Sequence, residues 1–213
     1  VFYQQMSTSL TLFALHNVRL DFLGYHVPPE QFQWLNPFWI AVASPLLALL
    51  YAGLGRRGRD PSVAGKYAWG FLLLALGFFI YAVSGRYAVA GLVSPWWMVW
   101  GYLLQSLGEL LISGLGLAMV ARYVGPARRG LMMGTWLLAS GIAQYLGSFV
   151  ANFASVPAQI TAATATLTLY THLFWVLGWV AVGGTAAALA LLPLMRRLDA
   201  GHRAVEPAAA GAA

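Results

Sequence analysis

Six long apolar runs separated by short basic loops limit what this chain can fold into more than any single motif does. They fall at about Val1–Val18, Pro37–Leu54, Tyr67–Ser84, Pro95–Val124, Gly130–Ser155 and Leu169–Met195. A helix needs about 20 apolar residues to cross the hydrocarbon of a bilayer. Within lipid, only structures that satisfy their own backbone hydrogen bonds survive. With 60% hydrophobic and 8% charged residues and a mean hydropathy of +0.71, the chain cannot clothe a water-facing surface of ordinary polarity. The expected fold is an all-α membrane protein of six transmembrane helices. The first run is short and opens at Val1 with no basic flank and no signal-peptide zones, so it reads as a cut within a longer protein. The run from Pro95 is long enough to tilt or to project beyond the bilayer.

Charge alternates from loop to loop. One set of loops holds Arg56, Arg57, Arg59 and Lys66, then Arg122, Arg128 and Arg129, then Arg196, Arg197 and Arg203. The other set holds only Arg19 and Arg86 as cations, with Asp21 and Glu30. The positive-inside rule puts the first set, and the C-terminus, in the cytoplasm. The net charge of +6 is therefore a topology signal, and the bilayer, not a nucleic acid, is the expected partner. Residues 198–213 are expected to form a disordered cytoplasmic tail. The chain has no cysteine, which excludes disulfides and thiol chemistry. His16, His26, His172 and His202 show no metal-ligand spacing, and there is no HExxH, no phosphate-binding glycine loop and no Ser-His-Asp arrangement. No metal, no cofactor and no enzymatic activity are expected.

The runs differ in their polar content. The third and sixth carry no ionisable or amide side chain in their interiors, whereas the first, second, fourth and fifth carry Gln5, Asn36, Glu109 and Gln144. Polar groups avoid lipid, so those four runs should line an interior and the other two should be peripheral. The pattern suits two nested three-helix repeats, about 1–85 and 95–197.

Glu109 is the sharpest signal. An ionised carboxylate at the bilayer centre costs about 2.5–3.5 kcal/mol on insertion scales, so a cation, a proton or water must compensate it. Gln105, Glu109 and Ser113 recur every fourth residue and should share one helix face. A protonated glutamate hydrogen-bonded within the bundle is the plainer reading. Asn36 before Pro37 reads either as a helix N-cap or as a cavity-facing amide. Of the neighbours Gln4 and Gln5, which follow Tyr3, at most one faces a cavity, and a bond between helices is the simpler role. Gln144 lies two turns beyond Trp136 on nearly the same face. Gly130, Gly134, Gly141 and Ser148 form a small-residue stripe suited to close helix packing.

Four segments carry a family resemblance: FYQQMSTSLTLFALHNV, VPPEQFQWLNPFWI, LLQSLGELLISGLGLAMV and GLMMGTWLLASGIAQYLG. They occur in order, one per polar run, and resemble the proton-dependent oligopeptide transporters of the major facilitator superfamily. Bacterial dipeptide and tripeptide permeases look closest, and the LNP and S-x-G-E-L-x-x-S motifs together carry the likeness. The resemblance implies that residues 1–197 form the C-terminal six-helix bundle of a major facilitator fold in a bacterial inner membrane, with the N-terminal half absent. It also implies proton-coupled symport of di- and tripeptides by alternating access, the proton being the coupling ion. By the same likeness Glu109 would hold the peptide amino terminus, Asn36 and Gln5 would hydrogen-bond the peptide, Ser113 would support the site and Trp136 would wall a side-chain pocket, with Tyr3, Gln105 and Gln144 in support. The sequence departs from the family pattern at Gln4, where many members carry an acid, at Gly114, where many carry proline, and at Gln144, where asparagine is frequent. The E-x-x-E-R motif associated with proton coupling does not occur in it. Transport of another small substrate, or a non-transporting fragment, are the alternatives.

Overall fold

The computed structural model describes residues 2, 4–22, 24–58, 63–152 and 162–210. Seven helices follow in order: α1 (Gln4–Ser7), α2 (Ser9–Asn17), α3 (Leu35–Arg56), α4 (Val63–Ser84), α5 (Trp96–Tyr123), α6 (Pro126–Asn152) and α7 (Ala163–Ala210). The helical expectation is met, with one small addition. Strands β1 (Asp21–Phe22) and β2 (Tyr25–His26) pair antiparallel in a minimal hairpin, turned by Gly24 at φ +83°, a conformation that glycine adopts without strain.

The first apolar run is two helices rather than one. Thr8 leaves helical geometry at φ −117°, ψ −86°. The Met6 carbonyl near the break accepts from Tyr102 Oη at 3.2 Å and from Thr11 Oγ1 at 3.3 Å. Ser7, Thr8 and Ser9 in series favour such a break, because hydroxyl side chains compete with the helix for backbone partners. Among the described residues, three stretches are long and apolar enough to cross a membrane: Pro29–Arg56, Gly65–Tyr87 and Ala163–Pro193. Helices α5 and α6, of 28 and 27 residues, have the length at ~1.5 Å per residue. Their apolarity is diluted by Gln105, Ser106 and Glu109 in one and by Ser140 and Gln144 in the other. Of the six expected transmembrane helices, three thus meet both criteria of length and apolarity among the described residues.

Helix α4 is the hub of the chain, packed against α5 on one side and α7 on the other. This corrects the expectation that the third run is peripheral. Glycine explains it. Gly70 and Gly77 on α4 meet Gly101 and Gly108 on α5, each pair seven residues apart and so on one helix face. A Cβ added at Gly101 would lie 2.2 Å from the Tyr81 ring, one at Gly77 2.9 Å from Gln105 Cγ, and one at Gly108 2.7 Å from the Gly70 carbonyl. The two backbones are therefore as close as their side chains allow. The stripe on α6 behaves differently, since Gly130, Gly134 and Gly141 have nothing within 4 Å of a built Cβ. Most of α6 is exposed, including Leu131, Leu137 and Tyr145.

The core lies at the α2 end of the bundle, where Phe13, Phe78, Tyr81, Tyr170 and Phe174 are fully buried. Phe13 and Phe174 meet edge to face at 5.2 Å, a favoured aromatic geometry. Asn17 ties that end together. Its Nδ2 donates to the carbonyls of Gly91 at 2.9 Å and Ala163 at 2.6 Å, and its own carbonyl accepts from Val93 N at 2.7 Å. Two further expectations change. Lys66 is not a loop residue but sits buried near the start of α4, 4.2 Å over the Tyr51 ring, which stabilises a partly desolvated cation. The tail expected to be disordered from 198 continues α7 as helix through Ala210, with Gly201 and Pro207 within it. Residues 211–213 of that tail, and residues 153–155 of the fifth run, lie outside the described residues.

Because the Tyr81 ring fills the space over Gly101, Gly101→Ala is expected to cost about 1–3 kcal/mol through overpacking, read as a lower unfolding temperature in detergent. Gly141→Ala, facing open space, should not lower it. An unchanged Gly101→Ala would contradict the close approach of α4 and α5.

Candidate functional site

Glu109 projects from α5 beside Gly108, at the level where α4 and α5 are tightly interlocked. Across from it, the first turn of α3 presents Asn36. The 3-10 turn Pro29–Trp34 runs directly into α3 without a side-chain cap, so the N-cap reading of Asn36 is set aside. Its amide is buried and reaches α5 instead. Asn36 Nδ2 donates to Glu109 Oε2 at 3.1 Å, and Asn36 Oδ1 accepts from the fully buried Ser106 hydroxyl at 2.8 Å. Among the described residues no cation lies within 4 Å of the carboxylate, and Oε1 has no hydrogen-bond partner.

The other side of Glu109 opens on a cavity of about 330 Å³ between α1, α4, α5 and α6. Its polar lining includes Glu109, Ser113 and Gln144, and its apolar lining includes Phe2, Phe71 and Ile112. Ser113 Oγ donates to the Glu109 carbonyl at 2.8 Å. The Gln144 amide has no hydrogen-bond partner among the described residues. The arrangement is an acceptor-only group in a largely apolar chamber, held by one neutral donor and open to a cation from the cavity side. Field strength in such a setting exceeds that in water several-fold. Cavities of this size, mostly apolar with a few convergent polar groups, are the usual form of small-ligand sites.

The structure sorts the expected residues. Glu109, Ser113 and Gln144 converge on the cavity, and Asn36 stands behind the carboxylate. Gln105 does not share their face, because successive fourth residues drift by about 40° around a helix. It turns instead into the α4 interface over Gly77, fully buried and without a hydrogen-bond partner. Gln5 is also fully buried, but as a bond between helices: Nε2 donates to the Gly147 carbonyl of α6 at 2.9 Å, and Oε1 accepts from Ser9. Trp136 stands half-buried on α6 and is not among the residues lining the cavity. Tyr3 lies outside the described residues. The expectation missed Phe2, Phe71 and above all Ser106. Ser106 is three residues before Glu109 on the adjoining face and is the first serine of the S-x-G-E-L-x-x-S motif, which was its signal. No group of three or more potential metal ligands occurs among the described residues.

Known proteins resemble this chain over most of its length. The POT family model matches residues 1–169. Dipeptide and tripeptide permease B of Edwardsiella piscicida is 46% identical over 200 residues, 93% of this chain and 41% of the relative. The permease B of Salmonella typhimurium is 45% identical over 199 residues, again 93% and 41%. Among solved structures, a bacterial homologue of the human drug peptide transporters PepT1 and PepT2 matches with a TM-score of 0.79 at 53% identity, covering 92% of this chain and 41% of that one. A peptide transporter POT in complex with sulfate matches with a TM-score of 0.79 at 30% identity, covering 92% and 37%. The chain thus spans about two-fifths of the length of these relatives.

Proposed function

The chain belongs to the POT family, and from that premise we propose that it supplies one half of a proton-coupled symporter of di- and tripeptides in a bacterial inner membrane. One observation carries the reading. A mid-helix carboxylate with no cationic partner among the described residues presents one oxygen to an amide and the other to a cavity. A peptide's amino terminus is a compact cation with three donors, and it satisfies a carboxylate better than any neutral group. Glu109 takes that ammonium, Ser113 and Gln144 accept and donate to the peptide backbone, and Asn36 acts through Glu109. The apolar wall of Phe2, Phe71 and Ile112 receives side chains without reading their identity, which suits a transporter of many peptides. Gln5 has a different part from the one that resemblance suggests: it ties α1 to α6, the two helices that flank the cavity mouth. Trp136 would reach the cavity only after movement of α6, and alternating access supplies movement of that kind.

We place the chain as the C-terminal half, with the orientation of its loops set by their arginines, because LNP and S-x-G-E-L-x-x-S resemble motifs of that half. The broken α1–α2 element supports a transporter reading, since discontinuous helices commonly build transport sites at mid-membrane. Peptide mapping of the native polypeptide tests the placement. A membrane segment of similar size should precede residue 1, and such a segment following residue 213 instead would overturn it.

Uptake of a labelled dipeptide by the complete polypeptide in vesicles tests the function. The account expects uptake driven by an inward proton gradient, competed by small peptides and not by free amino acids. It expects Glu109→Gln to lower uptake at least ten-fold, the scale expected when a buried charge loses its partner. Wild-type uptake by Glu109→Gln would remove Glu109 from the site, and competition by amino acids or inorganic anions would point to another substrate class.

A further inference from the structure

We infer that Ser106 is the positioning residue that anchors the Asn36 amide with its donating end against Glu109, and so keeps the carboxylate ready for a cationic amino terminus. The inference rests on the peptide-binding reading of Glu109 and adds a residue to it.

The behaviour of hydroxyls elsewhere in this chain carries the argument. Serine and threonine in a helix ordinarily return their proton to the carbonyl four residues back. Ser44, Ser113, Thr135, Ser140 and Ser148 all do so here, to Ile40, Glu109, Leu131, Trp136 and Gln144. Ser106 is different. Fully buried in the middle of α5, it donates across to α3, to Asn36 Oδ1 at 2.8 Å. The consequence for Asn36 is chemical. A carboxamide has one accepting end and one donating end of nearly the same shape. With Oδ1 turned to the hydroxyl, Nδ2 must face Glu109 Oε2, where it lies at 3.1 Å. The reversed amide would set Oδ1 against the carboxylate, an acceptor against an acceptor. The acceptor-only carboxylate selects this orientation when ionised, and the Ser106 hydroxyl secures it by satisfying the buried Oδ1, without touching the cavity, whose lining excludes it.

The chain of contacts runs Ser106 to Asn36 to Glu109, so Ser106 matters only while Asn36 is present to transmit its effect. Removing the hydroxyl leaves Asn36 Oδ1 buried without a donor. The amide is then held at one end only, its donor to Glu109 is less firmly placed, and the site should lose affinity for ligands that carry a free ammonium.

The test is peptide transport by the complete transporter, comparing Ser106→Ala and Ser106→Thr in the wild-type and Asn36→Ala backgrounds. Ser106→Ala should raise the KM for a dipeptide with a free amino terminus roughly ten-fold, the size expected when a hydrogen bond supporting a charged group is lost. Ser106→Thr, which keeps the donor, should recover most of that loss. In the Asn36→Ala background, Ser106→Ala should add nothing, because coupled residues are non-additive. Additive effects, a wild-type KM in Ser106→Ala, or a Thr variant as impaired as Ala would each overturn the inference. Should Ser106→Ala fail to accumulate, Ser106→Cys, of similar size and a weak donor, replaces it against Thr. Glu109→Gln in the same assay separates the two levels. If it weakens binding while Ser106→Ala does not, the inference fails alone; if it leaves KM unchanged, the peptide-site reading fails and the inference with it.

Discussion

The hydrogen bond from the Asn36 amide to Glu109 Oε2 is the contact on which the proposed site depends. A carboxylate within an apolar helix must be compensated by its surroundings, and the described residues offer it one neutral donor and no cation. One donor suffices to orient the group but not to saturate it. The carboxylate keeps an open accepting side facing the cavity, and that unfilled capacity is what makes it a binding group rather than a structural one. A buried arginine in place of Asn36 would have produced an internal salt bridge, more completely satisfied and of less use to an incoming ammonium.

Placing Asn36 and Glu109 opposite one another is a packing problem, and the interlocked glycines of α4 and α5 set its terms. Gly70, Gly77, Gly101 and Gly108 bring the two backbones together, which fixes the rotation of α5 about its axis. Gln105 is thereby pressed against α4, Glu109 turned to the α3 boundary and Ser113 to the cavity. On the far wall, the break at Thr8 and the bond from Gln5 to Gly147 seat α1 against α6. Helix α6 is otherwise exposed along most of its length, so one wall of the cavity is joined loosely to the tightly packed α4, α5 and α7.

Much of the site was legible in the sequence because polar residues within apolar runs are costly and therefore conspicuous. Glu109, Asn36, Ser113 and Gln144 stood out for that reason, and the structure brings them to one place. What was not legible depends on pairing between helices. Ser106 stands in the S-x-G-E-L-x-x-S motif, but its part shows only when its hydroxyl is seen to leave its own helix. The glycine spacing of seven exists separately in two runs and acquires meaning only when α4 lies against α5, whereas the glycines of the α6 stripe, more obvious as a motif, meet nothing among the described residues. Gln105 shares a spacing with Glu109 but not a face, because 3.6 residues per turn turns a four-residue repeat steadily aside. The break at Thr8 was hidden by the general apolarity of its run, and the helical course of residues 198–210 by reading charge and small residues as a tail.

The central claim is that Glu109 recognises a peptide's positively charged amino terminus. The most direct measurement is the affinity of the complete transporter for one dipeptide and for its N-acetylated form, in the wild type and in Glu109→Gln. The account predicts that the wild type strongly prefers the free amino terminus and that Glu109→Gln loses the preference by binding the free form as weakly as the acetylated one. Equal affinities in the wild type, or a preference that survives in Glu109→Gln, would contradict it.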